Sequence, residues 1–161
     1  EAWFQAYWDL AAVLRENGNP GYSDWSGIYS AAPSYILQSD FAYMIGPEMF
    51  RTFVLPHIED ACQRLDNAIY HLDGVGQLAH LDMLLALPRL KAVQWVYGDG
   101  KPSARHWMEV YQKIARAGKR NFVIGDVREV CGQLGGNAYC TLGVNARAEG
   151  EELLRSLGTP V

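Results

Sequence analysis

Residues 67–96 read NAIYHLDGVGQLAHLDMLLALPRLKAVQWV, and this stretch decides the fold class. Asn67 to Leu72 is short, mostly apolar and bounded by Asp73-Gly74, the signature of a buried strand. Gln77 to Ala86 follows with leucines at 78, 81, 84 and 85, the spacing of one helical face. Pro88 closes that helix, and Lys91 to Val96 is a second strand. Strand, helix and strand in succession predict a parallel sheet with right-handed crossovers.

The rhythm extends both ways. Upstream, Tyr35 to Phe41 reads as a strand. Gly46-Pro47-Glu48 then opens a long helix through Phe50, Phe53, Val54, Ile58, Ala61 and Leu65, kinked at Pro56. Downstream, Ser103 caps a helix carrying Trp107, Val110, Tyr111 and Ile114, and Asn121 to Gly125 is a strand. Asp126 with Glu129 starts a further helix, Ala138 to Leu142 is the last strand, and Asn145 caps a helix carrying Leu153, Leu154 and Leu157. Residues 1–32 form an N-terminal helix, stopped by Gly18 and Pro20, and a loop rich in Gly, Ser, Pro and Tyr. A whole eight-unit barrel takes about 250 residues, or ~31 per strand–helix unit, so this chain holds about five units. A partial (β/α)8 TIM barrel and an open doubly wound sheet compete. No Gly-x-Gly-x-x-Gly follows the first strand, which removes support for a dinucleotide site. The chain opens on Glu1 directly in a helical pattern, as a fragment or excised piece would.

Composition narrows the function classes. With 49% hydrophobic and 20% charged residues among 161, the chain has the apolar material for a core. A net charge of −4 without a basic cluster speaks against a nucleic-acid partner. No apolar run approaches the roughly 18 residues of a membrane span, and no signal peptide is visible. Cys62, Cys131 and Cys140, an odd number without Cys-x-x-Cys spacing, read as three reduced thiols of a cytoplasmic protein.

Polar residues gather where the strands end: Gln38 and Asp40, His71 and Asp73, Gln94 and Trp95, Asp126, then Cys140 with Thr141. Parallel α/β folds bind ligands at the carboxyl ends of their strands, so this convergence reads as a small-molecule site. His71 and Asp73, two apart on a strand, point the same way. With Cys140 they make three groups suited to Zn²⁺, leaving one position open. Trp95 and Tyr97 are candidate walls of a pocket. Gly74, Gly76, Gly98 and Gly100 follow strand ends, where a ligand can approach the backbone. His80 and Asp82 sit on the short helix, whose leucines face the core, so they are expected toward a loop or solvent.

These segments resemble a known superfamily. Gln38-Ser39-Asp40-Phe41, Ile45-Gly46-Pro47-Glu48-Met49-Phe50 and Phe53-Val54-Leu55-Pro56 are similar to uroporphyrinogen decarboxylases and the cobalamin-dependent methyltransferases grouped with them. So are Tyr70-His71-Leu72-Asp73-Gly74, His80-Leu81-Asp82 and Ala92-Val93-Gln94-Trp95-Val96. The resemblance spans about Tyr35 to Leu157 and implies that residues 33–161 are the C-terminal part of a TIM-barrel domain. It implies a zinc site in which His71 matches the family's His, Asp73 replaces a Cys, and Cys140 is similar in placement to the later Cys. A carboxylate is a harder ligand than thiolate. The implied activity is zinc-dependent methyl transfer involving a thiol, or a corrinoid supplied by a partner protein. His71, Asp73 and Asp40 are its catalytic residues, and Gln94, Trp95 and Tyr97 bind substrate. Two alternatives stand beside it. One is a metal-free decarboxylase of the same superfamily, with His71 as proton donor. The other is a non-catalytic fragment that self-associates as a homodimer through its open sheet edges.

Overall fold

The computed structural model describes residues 1–125, 127–141, 143–156 and 158. Asp126, Leu142 and Leu157, assigned above to a cap, a strand end and an inward-facing helical position, lie outside the described residues. Helix α1 (Ala2–Glu16) leads into a small antiparallel pair, β1 (Tyr22–Ser23) and β2 (Tyr29–Ser30), within the stretch expected to be loop. Then β3 (Ser34–Gln38), β4 (Asn67–Asp73), β5 (Leu90–Val96), β6 (Arg120–Ile124) and β7 (Ala138–Thr141) form one five-stranded sheet. All four pairings in it are parallel, and its spatial order is the chain order. The connections carry α2 (Pro47–Phe53), α3 (Leu55–Arg64), α4 (Leu81–Leu85), α5 (Met108–Arg116) and α6 (Val127–Gln133), and α7 (Arg147–Ser156) follows β7.

The two faces of the sheet differ. On one, Tyr70, Leu72, Val93, Trp95 and Val123 pack with Phe50, Ile58, Leu84, Tyr111, Ile114 and Val130 from the helices. Fully burying an aliphatic or aromatic side chain contributes roughly 1.5–3 kcal/mol, so this layer supplies most of the driving force. On the other face, Ile36, Ile69 and Phe122 cluster with Ala92 and with Ile28 from the N-terminal loop, and no helix contributes. A doubly wound sheet reverses its strand order and carries helices on both faces. Neither feature is present among the described residues.

The outer edge of β3 is covered. The Tyr7 hydroxyl accepts from the Ser34 N–H at 3.1 Å and donates to the Ser34 carbonyl at 2.9 Å. The Asp24 carboxylate accepts from the Ile36 N–H at 2.7 Å. Side chains from residues 1–32 thus occupy the groups that a neighbouring strand would use.

Several local expectations are corrected. Pro56 does not kink one long helix. The chain breaks at Val54, and Pro56 sits in the first turn of α3, where its missing N–H costs nothing. Residues Asp40–Met44 form a 3₁₀ turn, so Asp40 lies beyond the strand. The 77–86 helix divides into a 3₁₀ segment, Val75–His80, and α4. Three residues per turn instead of 3.6 rotates His80 inward. His80 is fully buried, its ring stacked on Phe50 at 4.2 Å, with Nε2–H donating to the Ala42 carbonyl at 2.9 Å. Leu154 is exposed, whereas Leu153 faces inward as expected.

Buried acids set an alkaline limit on stability. Burial pushes the Cys62 thiol up to about 11, against a weaker opposing pull from Lys119 and Arg89. Burial likewise raises Tyr70, with the Asp40 charge adding to it. These groups stay protonated in the folded chain at pH values where the unfolded chain ionises. Their contribution is complete below the unfolded values and is lost as pH rises through the folded ones. Urea midpoints should therefore fall between pH about 9 and about 11. Cys62→Ala should flatten that fall by about 2 kcal/mol.

Candidate functional site

Register builds the site row by row. Across the sheet, Gln38 pairs with His71, His71 with Gln94, Gln94 with Phe122, and Phe122 with Tyr139. Partners in register point to the same face, so these five side chains form one layer on the helix-free side. Two residues nearer the carboxyl ends, on the same face, Asp73 pairs with Val96, and Ile124 with Thr141. The alignment of Gln94 with His71 depends on an irregularity in β5. Ala68 pairs with Leu90 but Ile69 with Ala92, so Lys91 is an extra residue. That bulge reverses which face the rest of β5 presents and brings Gln94 beside His71.

His71 is the centre of the arrangement. Its Nδ1–H donates to Gln94 Oε1, and Gln94 is buried. Nε2 therefore faces away from Gln94, 3.8 Å from Asp73 Oδ2. The imidazole side chain is 14% exposed and the carboxylate 47%, so the pair opens toward solvent. Trp25, from the N-terminal loop, packs edge-on against the imidazole at 5.1 Å. A fixed tautomer, a carboxylate near the free nitrogen and access from one side suit proton transfer.

Next to this pair lies a cavity of about 310 Å³, bordered by Asp73, Trp95, Val96, Tyr97, Gly98, Asp99 and Ile124. Trp95 pairs with Leu72 and is fully buried on the helix-covered face, so it serves both core and cavity. Trp107 backs the wall, 5.4 Å from Trp95 and 6.5 Å from Tyr97 between ring centres. Gly98 and Gly100 have φ of +94° and +68°, which lets the loop between them present Asp99. Gly74 and Gly76 leave room for a packed aromatic ring. A side chain at either would meet the Tyr43 ring, at 2.7 and 3.0 Å respectively.

The zinc set does not assemble. Cys140 pairs with Val123, on the helix-covered face opposite His71 and Asp73. It belongs to β7, three strands from β4, or roughly 14 Å at ~4.8 Å per strand. Its sulfur is bonded to Cys131, joining β7 to α6, so it is no thiolate ligand, and of the three cysteines only Cys62 is free. Among the described residues no group of three His, Cys, Asp or Glu could hold a metal. The residues present therefore do not fit the expected zinc site. Reducing the disulfide removes a short loop constraint worth about 2–3 kcal/mol, so the thermal midpoint should drop on adding a thiol reductant. An unchanged midpoint would show that the bond contributes nothing in solution.

Asp40 also falls away from this group. It is exposed on the 3₁₀ turn, and its charge acts on Tyr70, whose hydroxyl donates to Gln77 Oε1 at 3.2 Å behind the sheet. Three contributors are absent from the site residues expected from the sequence: Trp25, Asp99 and Trp107. Asp99 alone was flagged indirectly, by the glycines on either side of it. No helix of the described residues is long and apolar enough to cross a membrane. No family model, curated protein or solved structure matches this chain.

Proposed function

We propose that the chain contributes the strand-end active site of a (β/α)8-barrel methyltransferase of the uroporphyrinogen decarboxylase type, working by proton transfer at His71. The sequential parallel order, the helices on one face and the motifs around Pro47-Glu48-Met49-Phe50 and His71-Leu72-Asp73 support the barrel reading. The observation that carries the chemistry is His71 held between Gln94 and Asp73, the latter bordering a cavity. Gln94 occupies Nδ1, so Nε2 carries the mobile proton. In the imidazolium form, Nε2–H faces the Asp73 carboxylate at 3.8 Å. When the bond between a substrate heteroatom and its methyl group breaks, the heteroatom keeps the electron pair and takes the proton from Nε2. The cavity is of small-molecule size, so a corrinoid would stay on a partner protein and serve there as methyl acceptor. The residues of this chain act on the substrate alone.

Charge favours this reading over the decarboxylase one. The cavity lining includes Asp73 and Asp99 and neither Lys nor Arg, which repels a polycarboxylate. Self-association through β3 is disfavoured by the Tyr7 and Asp24 contacts along that edge. A cytoplasmic setting, proposed with this activity, makes the Cys131–Cys140 bond a redox-responsive one.

The test is an assay of the protein with a panel of methylated amines, ethers and thioethers and reduced free cobalamin, following methylcobalamin by absorbance. Methylation that persists in a metal chelator is the expected result. Loss of activity on chelation, or carbon dioxide release from an acidic substrate instead, would overturn the proposal.

A further inference from the structure

We propose that the cavity beyond β4, β5 and β6 binds an organic ammonium group, so that the substrate is a small alkylated amine cation. The inference rests on the reading of this rim as a substrate site and adds the charge of what enters it.

Three features of the wall agree. Asp73, 3.8 Å from His71 Nε2, and Asp99 both border the cavity, and neither has a Lys or Arg partner among the described residues. Asp99 already accepts the Gly100 N–H at 2.9 Å through one oxygen, leaving the other for a ligand. Between the carboxylates the lining is apolar and aromatic: Val96, Tyr97, Trp95 and Ile124. A hard metal ion needs six or more oxygens and takes waters to complete its shell, which this wall does not supply. An alkylammonium ion instead presents carbon to the rings and spreads its charge toward the carboxylates.

Calorimetric titration with choline, and with its uncharged carbon isostere bearing a tert-butyl group, isolates the charge because the two probes share their shape. Choline should bind roughly tenfold more tightly. Asp99→Asn, in an exposed loop, should weaken choline several-fold and leave the isostere nearly unaffected, whereas Tyr97→Ala should weaken both probes and choline more. Equal binding of the two probes would overturn the inference, as would tighter binding of propionate or displacement of choline by magnesium. The two proposals separate cleanly. Choline selectivity without methyl transfer from any substrate refutes the catalytic reading alone, whereas methyl transfer from neutral substrates without choline selectivity refutes the cation site alone.

Discussion

Replacing His71 with alanine should lower the rate of methyl transfer by about two to four orders of magnitude, the usual contribution of a positioned acid–base group. The effect should fall on kcat more than on KM, because the imidazole stands beside the cavity and is not among its lining residues. The substitution also strands Gln94 Oε1, which is buried and loses its donor. An orphaned polar group costs about 1–3 kcal/mol, so a modest stability loss accompanies the catalytic one. His71→Gln separates the two effects: an amide N–H can restore the contact to Gln94, but no proton is available for transfer. A variant that refolds normally yet keeps more than a tenth of the activity would remove His71 from the mechanism.

Phe50→Ala should destabilise the chain by about 3–5 kcal/mol, the range for emptying a fully buried aromatic position. Phe50 has no exposed surface and stacks on His80, the two rings 4.2 Å apart and nearly parallel at 5°. His80 in turn anchors the 3₁₀ turn after β3 through the Ala42 carbonyl. His80 Nδ1 is buried without a partner, so its ring depends on the aromatic contact more than an ordinary hydrogen-bonded histidine does. Thermal unfolding should show a drop of roughly 6 to 20 °C for a chain of this size. A shift of only a degree or two would mean that α2 is held elsewhere. Total stabilities are about 5–15 kcal/mol, so this one ring is a large fraction of the margin.

Much of the fold was legible from residues 67–96 and their flanks. Strands and helices alternate where expected, because a short apolar run and a leucine stripe are local patterns that tertiary packing reinforces. Boundaries moved where local chemistry offered two outcomes. Pro56 permits a kink or a fresh start, and the chain takes the start. The segment before α4 could wind as α or 3₁₀, and the tighter winding buries His80. At the site, His71 and Asp73 came together as their spacing on one strand requires.

By itself the sequence determined the parallel α/β class, the central strands β4 and β5 and the pairing of imidazole with carboxylate, since all of these follow from periods of two and 3.6 residues along one segment. Tertiary structure decided the rest. A single extra residue, Lys91, turned Gln94 onto the face of His71. The register of β7 turned Cys140 away from that face and into a disulfide with Cys131. Trp25 reached the imidazole from a loop more than forty residues upstream. Which face a side chain occupies is a property of register between strands, and register is fixed by packing across the whole sheet, where no single stretch of chain records it.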